Sequence, residues 1–179
     1  MNTPFLSLDE RTAINSGRWF SALSAPLKHD ILRCAYVERY RDGELVAAHG
    51  EQPEAWLGCA KGALRVGASH SSGKHSTLRY LEPGAWFGDV SILDGDRHTH
   101  DVYAHGVCTV VCVGKADFKR ILAQHVELCE ALLRRNAQQI RALYGRLEDL
   151  NTLPLRVRLA KQLLHLVRRH GLPALGHPH

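Results

Sequence analysis

Apolar and polar positions change rhythm twice along this chain. Residues 7–33 carry helical spacing in two pieces. Ser7-Leu8-Asp9-Glu10 has capping-box spacing, in which a hydroxyl and a carboxylate reciprocally satisfy free N–H groups at a helix start. Ser24 followed by Pro26 reads as a second helix start, because proline suits the first turn. From Cys34 to about Val113, short runs rich in Val, Leu, Tyr and Thr alternate with glycine-containing turns, an all-β pattern. The runs are 34–40, 44–48, 55–60, 63–69, 76–81, 85–87, 99–105 and 107–113. Lys61-Gly62 reads as a hairpin turn between two of them, and the polar stretch 70–75 as another hairpin tip. Eight short strands in roughly 80 residues predict a barrel or a jelly-roll sandwich.

After Gly114 the period becomes helical. Residues 115–123 form a short helix and 126–151 a long one. The long helix places Leu133, Asn136, Ile140, Leu143, Leu147 and Leu150 at alternating spacings of three and four, a heptad seam with a polar position at Asn136. Arg134, Arg141, Arg146, Glu148 and Asp149 lie off it. A narrow apolar seam needs a second helix, and the reading is a symmetric coiled-coil dimer; the alternative is packing against the chain's own barrel. Leu153-Pro154 ends this helix. Leu155 to His170 resumes as an amphipathic helix with Leu155, Leu159, Leu163 and Val167 on one stripe, and Gly171 and Pro173 stop it.

Composition narrows the class. With 179 residues, 45% of them apolar and 23% charged, the chain can bury a core and is not disordered. No apolar run reaches a membrane span, and the first residues lack a signal-peptide pattern. Five widely separated cysteines (34, 59, 108, 112 and 129) argue for a reduced, cytoplasmic protein rather than a disulfide framework. The net charge of +5 comes entirely from the tail: Arg156, Arg158, Lys161, Arg168 and Arg169 face no acid after residue 150. Such a segment either attracts nucleic acid or another acidic surface, or is a solvated helix face.

Other constellations carry less. Ser71 to Thr77 lacks the spacing of a phosphate-binding Walker loop. His98 and His100 share a strand face near His105, but no cysteine stands at metal-ligand spacing, and no metal is assigned. Cys108 and Cys112 also share a face, yet four residues of strand separate them by about 13 Å, so they read as buried structural thiols. Trp19, Trp56 and Trp86 read as core or rim aromatics. No catalytic triad is assignable from spacing, and nothing argues for an enzyme.

The most specific stretch is Glu82-Pro83-Gly84-Ala85-Trp86-Phe87-Gly88-Asp89-Val90-Ser91-Ile92-Leu93-Asp94-Gly95-Asp96-Arg97-His98-Thr99-His100-Asp101. It resembles the phosphate-binding cassette of the cyclic-nucleotide-binding β-roll in the Crp/Fnr family of bacterial transcription regulators. His49-Gly50-Glu51, Gly62 to Val66, Lys115 to Phe118 and Arg158 to Leu164 agree with that family too, and the resemblance covers about residues 17–170. It implies a mainly β fold with added helices: a double-stranded β-helix (a jelly-roll-like β-roll) flanked by N-terminal helices and a long C-terminal dimerisation helix. The expected parts are N-terminal helices (1–33), β-roll (34–114), short and long helices (115–151), and a hinge with the first helix of a DNA-binding domain (152–179).

The resemblance also implies a ligand site. Gly88, Asp89, Val90 and Ser91 would aim backbone N–H groups at a phosphate, as helix N-termini do. In the family a Glu at the position of Asp89 meets the ribose, an Arg at the position of His98 pairs with the phosphate, and Thr99 faces it. Small hydroxyl residues at about the positions of Leu143 and Tyr144 meet the adenine. This chain departs at each: Asp89 is one methylene shorter, His98 lacks a fixed charge and a fork at neutral pH, and Arg97 stands where the family has Pro. Leu143 offers no hydrogen bond, and Tyr144 is large. If 97–104 is extended, Arg97 faces away from His98.

No cofactor is assigned; a cyclic nucleotide of the cyclic-AMP type is the candidate effector. The eight residues after Gly171 are too few for another helix of about 11 residues. A helix that reads DNA is therefore expected to be missing, leaving DNA contact to a relative. The expected protein is a homodimer through 126–151 with no membrane partner. The alternatives are a non-DNA-binding protein that heterodimerises with a relative, and a haem or other small-molecule sensor, since one His can serve as an axial ligand.

Overall fold

The computed structural model describes residues 6–69 and 75–170. Six strands and six α-helices follow in the order α1 (Leu8–Ser16), α2 (Ala25–Arg33), β1 (Ala35–Tyr40), β2 (Leu45–Ala47), β3 (Ala55–Ser69), β4 (His75–Leu81), β5 (Trp86–Phe87), α3 (Asp89–Asp94), β6 (Asp101–Gly114), α4 (Lys115–Gln124), α5 (Val126–Thr152) and α6 (Leu155–His170). A 3-10 turn, Phe20–Ala22, links α1 to α2. The expected stop at Gly171 and Pro173, and residues 70–74 of the expected hairpin tip, lie outside the described residues.

Both helix starts form as expected. The Ser7 hydroxyl accepts from the Glu10 N–H at 3.2 Å, and the Glu10 carboxylate accepts from the Ser7 N–H at 2.8 Å. Ser24 caps α2 with Pro in its first turn.

The strands form one antiparallel sheet in the order β1-β6-β3-β4, with β2 on β6 and β5 on β3. One expectation fails here. Lys61-Gly62 is no hairpin turn: residues 55–60 and 63–69 are halves of one strand, β3. The runs 99–105 and 107–113 likewise join as β6, which starts only at Asp101. Each long strand carries a glycine with positive φ, Gly62 at 75° and Gly106 at 74°. Between them the pairing slips, from Cys59 opposite Val110 to Ala63 opposite His105. These are bulges, which bend a strand without ending it. A glycine at positive φ suits both a bulge and a turn, so the residue type alone did not separate them. The Gly62 site also has no room for a β-carbon, which would lie 2.6 Å from the Cys108 sulfur.

The bent sheet buries both faces. One cluster holds Leu57, Cys59, Leu64, Val66, Phe87, Val110 and Cys112. The other packs Phe20, Leu27, Ile31, Trp56, Trp86, Val111, Val113, Phe118 and Ile121 together. Successive β6 residues alternate between the two clusters, which explains the unbroken apolar run there. Trp56 and Trp86 are core and Trp19 packs at its rim. Cys59, Cys108 and Cys112 are buried thiols.

Glu10 is a buried charge, 6% exposed. Its second oxygen accepts from the buried Thr109 hydroxyl at 2.7 Å, tying α1 to β6.

The chain divides into two compact units, Met1–Leu132 and Leu133–His179. In the first, α5 begins with buried Leu128 and Leu132. In the second, the α5 residues Leu133, Ile140, Leu143, Leu147 and Leu150 are all more than half exposed, with Asn136 half-buried among them. Pro154 separates α5 from α6, and Lys161 bonds Asp149 at 2.7 Å across that break. The α6 stripe of Leu155, Leu159, Leu163 and Val167 is exposed. Among the described residues no helix is long and apolar enough to cross a membrane.

Candidate functional site

The site is built on a turn, a two-residue strand and a six-residue helix. The turn before β5 is held from two directions. Its Gly84 N–H donates to the Cys59 carbonyl at 2.8 Å, and the Cys59 N–H donates back to the Ala85 carbonyl at 2.9 Å. From the other side Gly17, at the end of α1, meets Gly84 backbone to backbone. A β-carbon on Gly17 would lie 2.4 Å from the Gly84 oxygen. Trp86 of β5 lies over Gly58, tilts against Trp56 with centroids 4.3 Å apart, and stacks on Phe20 at 5.3 Å. The strand feeding the site therefore has little freedom.

Gly88, at φ 91°, turns the chain from β5 into α3. The first N–H groups of a helix have no partner within it, and they carry the positive end of its dipole. Asp89 is the first residue of α3 and is 1% exposed. Val90 is half exposed, and the Ser91 hydroxyl donates to the Arg97 carbonyl at 3.4 Å.

The loop after α3 pairs with the segment after β2. The Gly50 N–H donates to the His98 carbonyl at 2.8 Å, and the His98 N–H donates to the Glu51 carbonyl at 2.9 Å. These bonds hold the His98 backbone in place. Burial pushes the His98 imidazole below the ordinary histidine value, and the Glu51 carboxylate partly opposes that. Neutral imidazole is therefore favoured in the free protein. Arg97 is occupied elsewhere: its guanidinium donates to the Gly50 carbonyl at 2.7 Å. The extended strand expected from 99 begins at Asp101, so Arg97 and His98 lie in the loop rather than on opposite strand faces. The exposed Thr99 hydroxyl lies 2.8 Å from His100 Nδ1.

The first unit thus gathers Gly88, Asp89, Val90, Ser91, His98 and Thr99 onto α3 and the loop that follows it. Leu143 and Tyr144 belong to the second unit, where both are exposed. Sequence reasoning missed the pairing of His98 with Gly50 and Glu51 and the Arg97 bond to Gly50. Only the family-like His49-Gly50-Glu51 string hinted that this segment mattered. Among the described residues no group of three or more His, Cys, Asp or Glu is placed to hold a metal.

Residues 37–125, from within β1 to just past α4, match the model of the cyclic nucleotide-binding domain. The chain is 29% identical over 129 residues to the CRP-like cAMP-activated global transcriptional regulator of Mycobacterium tuberculosis, covering 72% of this chain and 58% of that protein. It is 26% identical over 153 residues to the cyclic AMP receptor protein of Thermus thermophilus, covering 81% of this chain and 71% of that one. It shares the fold of the crystal structure of the Thermus thermophilus catabolite activator protein with a TM-score of 0.68, at 24% identity over 85% of this chain and 71% of that one. Residues 37–125 are therefore similar to a cyclic nucleotide-binding domain, and the chain has the β-roll fold with flanking helices. The relatives named here include a CRP-like transcriptional regulator, and the chain spans a little over half the length of the mycobacterial ones.

Proposed function

We propose that this chain is the sensor part of a CRP-type transcription regulator. Its β-roll binds a cyclic nucleotide or a similar small anionic effector at the start of α3. Backbone N–H groups of Asp89, Val90 and Ser91 meet the phosphate, with Gly88 allowing close approach. Asp89 accepts from the sugar hydroxyl. His98, as imidazolium, and Thr99 complete the phosphate contacts. The observation that carries this reading is the Gly88 turn into α3, with buried Asp89 at the start of that helix and half-buried His98 in the loop that follows it. Two copies pair through the exposed α5 seam, and effector binding acts on a DNA-binding output by favouring one arrangement of that helix.

The test is a calorimetric titration with cyclic AMP and then cyclic GMP at pH 6 and pH 8. His98 starts below its ordinary value, so the cation that pairs with phosphate is present only on the acid side. A charge-assisted hydrogen bond is worth roughly 1.5 kcal/mol more in that form, so binding should be about tenfold tighter at pH 6. No heat at either pH from a folded protein would rule out a cyclic-nucleotide effector. Equal affinities would remove His98 from the phosphate contacts.

A further inference from the structure

α3 has a second flank. Ile92 and Leu93 from α3, Lys119, Leu122 and Ala123 from α4, and Cys129 from α5 line an open groove of about 410 Å³. Ile92 is buried, whereas Leu93 is 47% exposed. None of the residues named for the cyclic-nucleotide site lines this groove.

The lining defines what fits. Aliphatic side chains dominate it and no aromatic ring among the described residues lines it, which favours an unbranched hydrocarbon body over a stacking one. Among the described residues Lys119 is the only charged one that lines the groove, and no carboxylate does, so the complementary head is an anion. One ammonium matches a head group with a single negative charge. The groove is open and lined by six residues. A docked helix instead lays a row of anchors spanning several turns, and six lining residues make too short a track for one. We infer that this groove binds an amphiphilic monocarboxylate, an aliphatic acid with its carboxylate on Lys119 and its tail along Ile92, Leu93 and Leu122. The site is independent of whether α3 also receives a nucleotide. Because both would bear on α3, any coupling between them would be reciprocal.

Cys129 reports occupancy, and half-buried Cys34 lies outside the groove as an internal control. The experiment follows alkylation of each thiol in the full chain by peptide mass spectrometry, with decanoate, decanol or decylamine added below their micelle thresholds. Decanoate should slow Cys129 alkylation about tenfold at saturation and leave Cys34 unchanged. It should bind about tenfold more tightly than decanol, the ratio that roughly 1.4 kcal/mol of head-group interaction gives. Decylamine should bind more weakly still. Lys119→Met should abolish the preference for the acid, and Lys119→Arg should retain it. An absence of Cys129 protection by decanoate, or equal protection by decylamine, overturns the inference. So does protection that rises with protein concentration alone, which would assign the groove to a second copy.

Discussion

Replacing Thr109 by valine tests how the N-terminal helix is held to the β-roll. The two side chains have nearly the same shape, so the change removes one hydroxyl and little volume. That hydroxyl donates to Glu10 Oε1 at 2.7 Å, and Thr109 is 2% exposed. Glu10 Oε2 keeps its bond from the Ser7 N–H at 2.8 Å, with Arg39 more distant at 4.0 Å. A hydrogen bond to a charged group contributes about 1.5–3 kcal/mol, and valine's preference for a strand returns part of it. The net loss should be about 1–2 kcal/mol, a fall in Tm of roughly 2–8 °C for a chain of this size. Burial opposes ionisation of Glu10, but bonds from Thr109 and Ser7 and the Arg39 charge together outweigh it. They hold its carboxyl below the ordinary 4.5. A depressed carboxyl contributes stability above its ordinary value and loses it as the pH falls through the folded one. Urea unfolding of wild type and Thr109→Val should therefore show the full gap at pH 7 and a smaller one below pH 4.5. Equal stability at pH 7, or an undiminished gap in acid, would refute the ionised acceptor.

Three further outcomes follow from the geometry. Ile140→Asp with Leu147→Asp should convert a dimer into a folded monomer in sedimentation equilibrium, because both sit on the exposed seam; a surviving dimer would refute that seam. His98→Arg restores a fixed charge and a forked donor, so it should raise cyclic-nucleotide affinity about tenfold at pH 8 and flatten the pH dependence in calorimetry. Gly17→Ala forces a methyl to within 2.4 Å of the Gly84 oxygen and should cost about 1–3 kcal/mol in a thermal melt, with no side chain lost.

Local signals were legible wherever a few neighbouring residues decide the outcome. Ser7 with Glu10 and Ser24 with Pro26 started helices, and Pro154 ended one, because capping and proline geometry act within a single turn. The cassette string from Glu82 to Asp101 was legible as a family-like motif, and the structure gives its Gly84, Gly88 and Gly95 positive φ. Strand continuity was not legible. Whether Gly62 reverses the chain or merely bends it depends on the partner strand, and β6 begins 39 residues further on, at Asp101.

The sequence by itself determined the periodicities, the helix caps, the apolar seam of α5 and the family-like cassette, since each is written in residue types at fixed short spacing. Only the tertiary structure decided which groups meet. Thr109 reaches Glu10 across 99 residues, Arg97 reaches Gly50 across 47, and α3, α4 and α5 converge on one groove. Such contacts form because burial brings distant strands and helices together, and no local spacing encodes the partner.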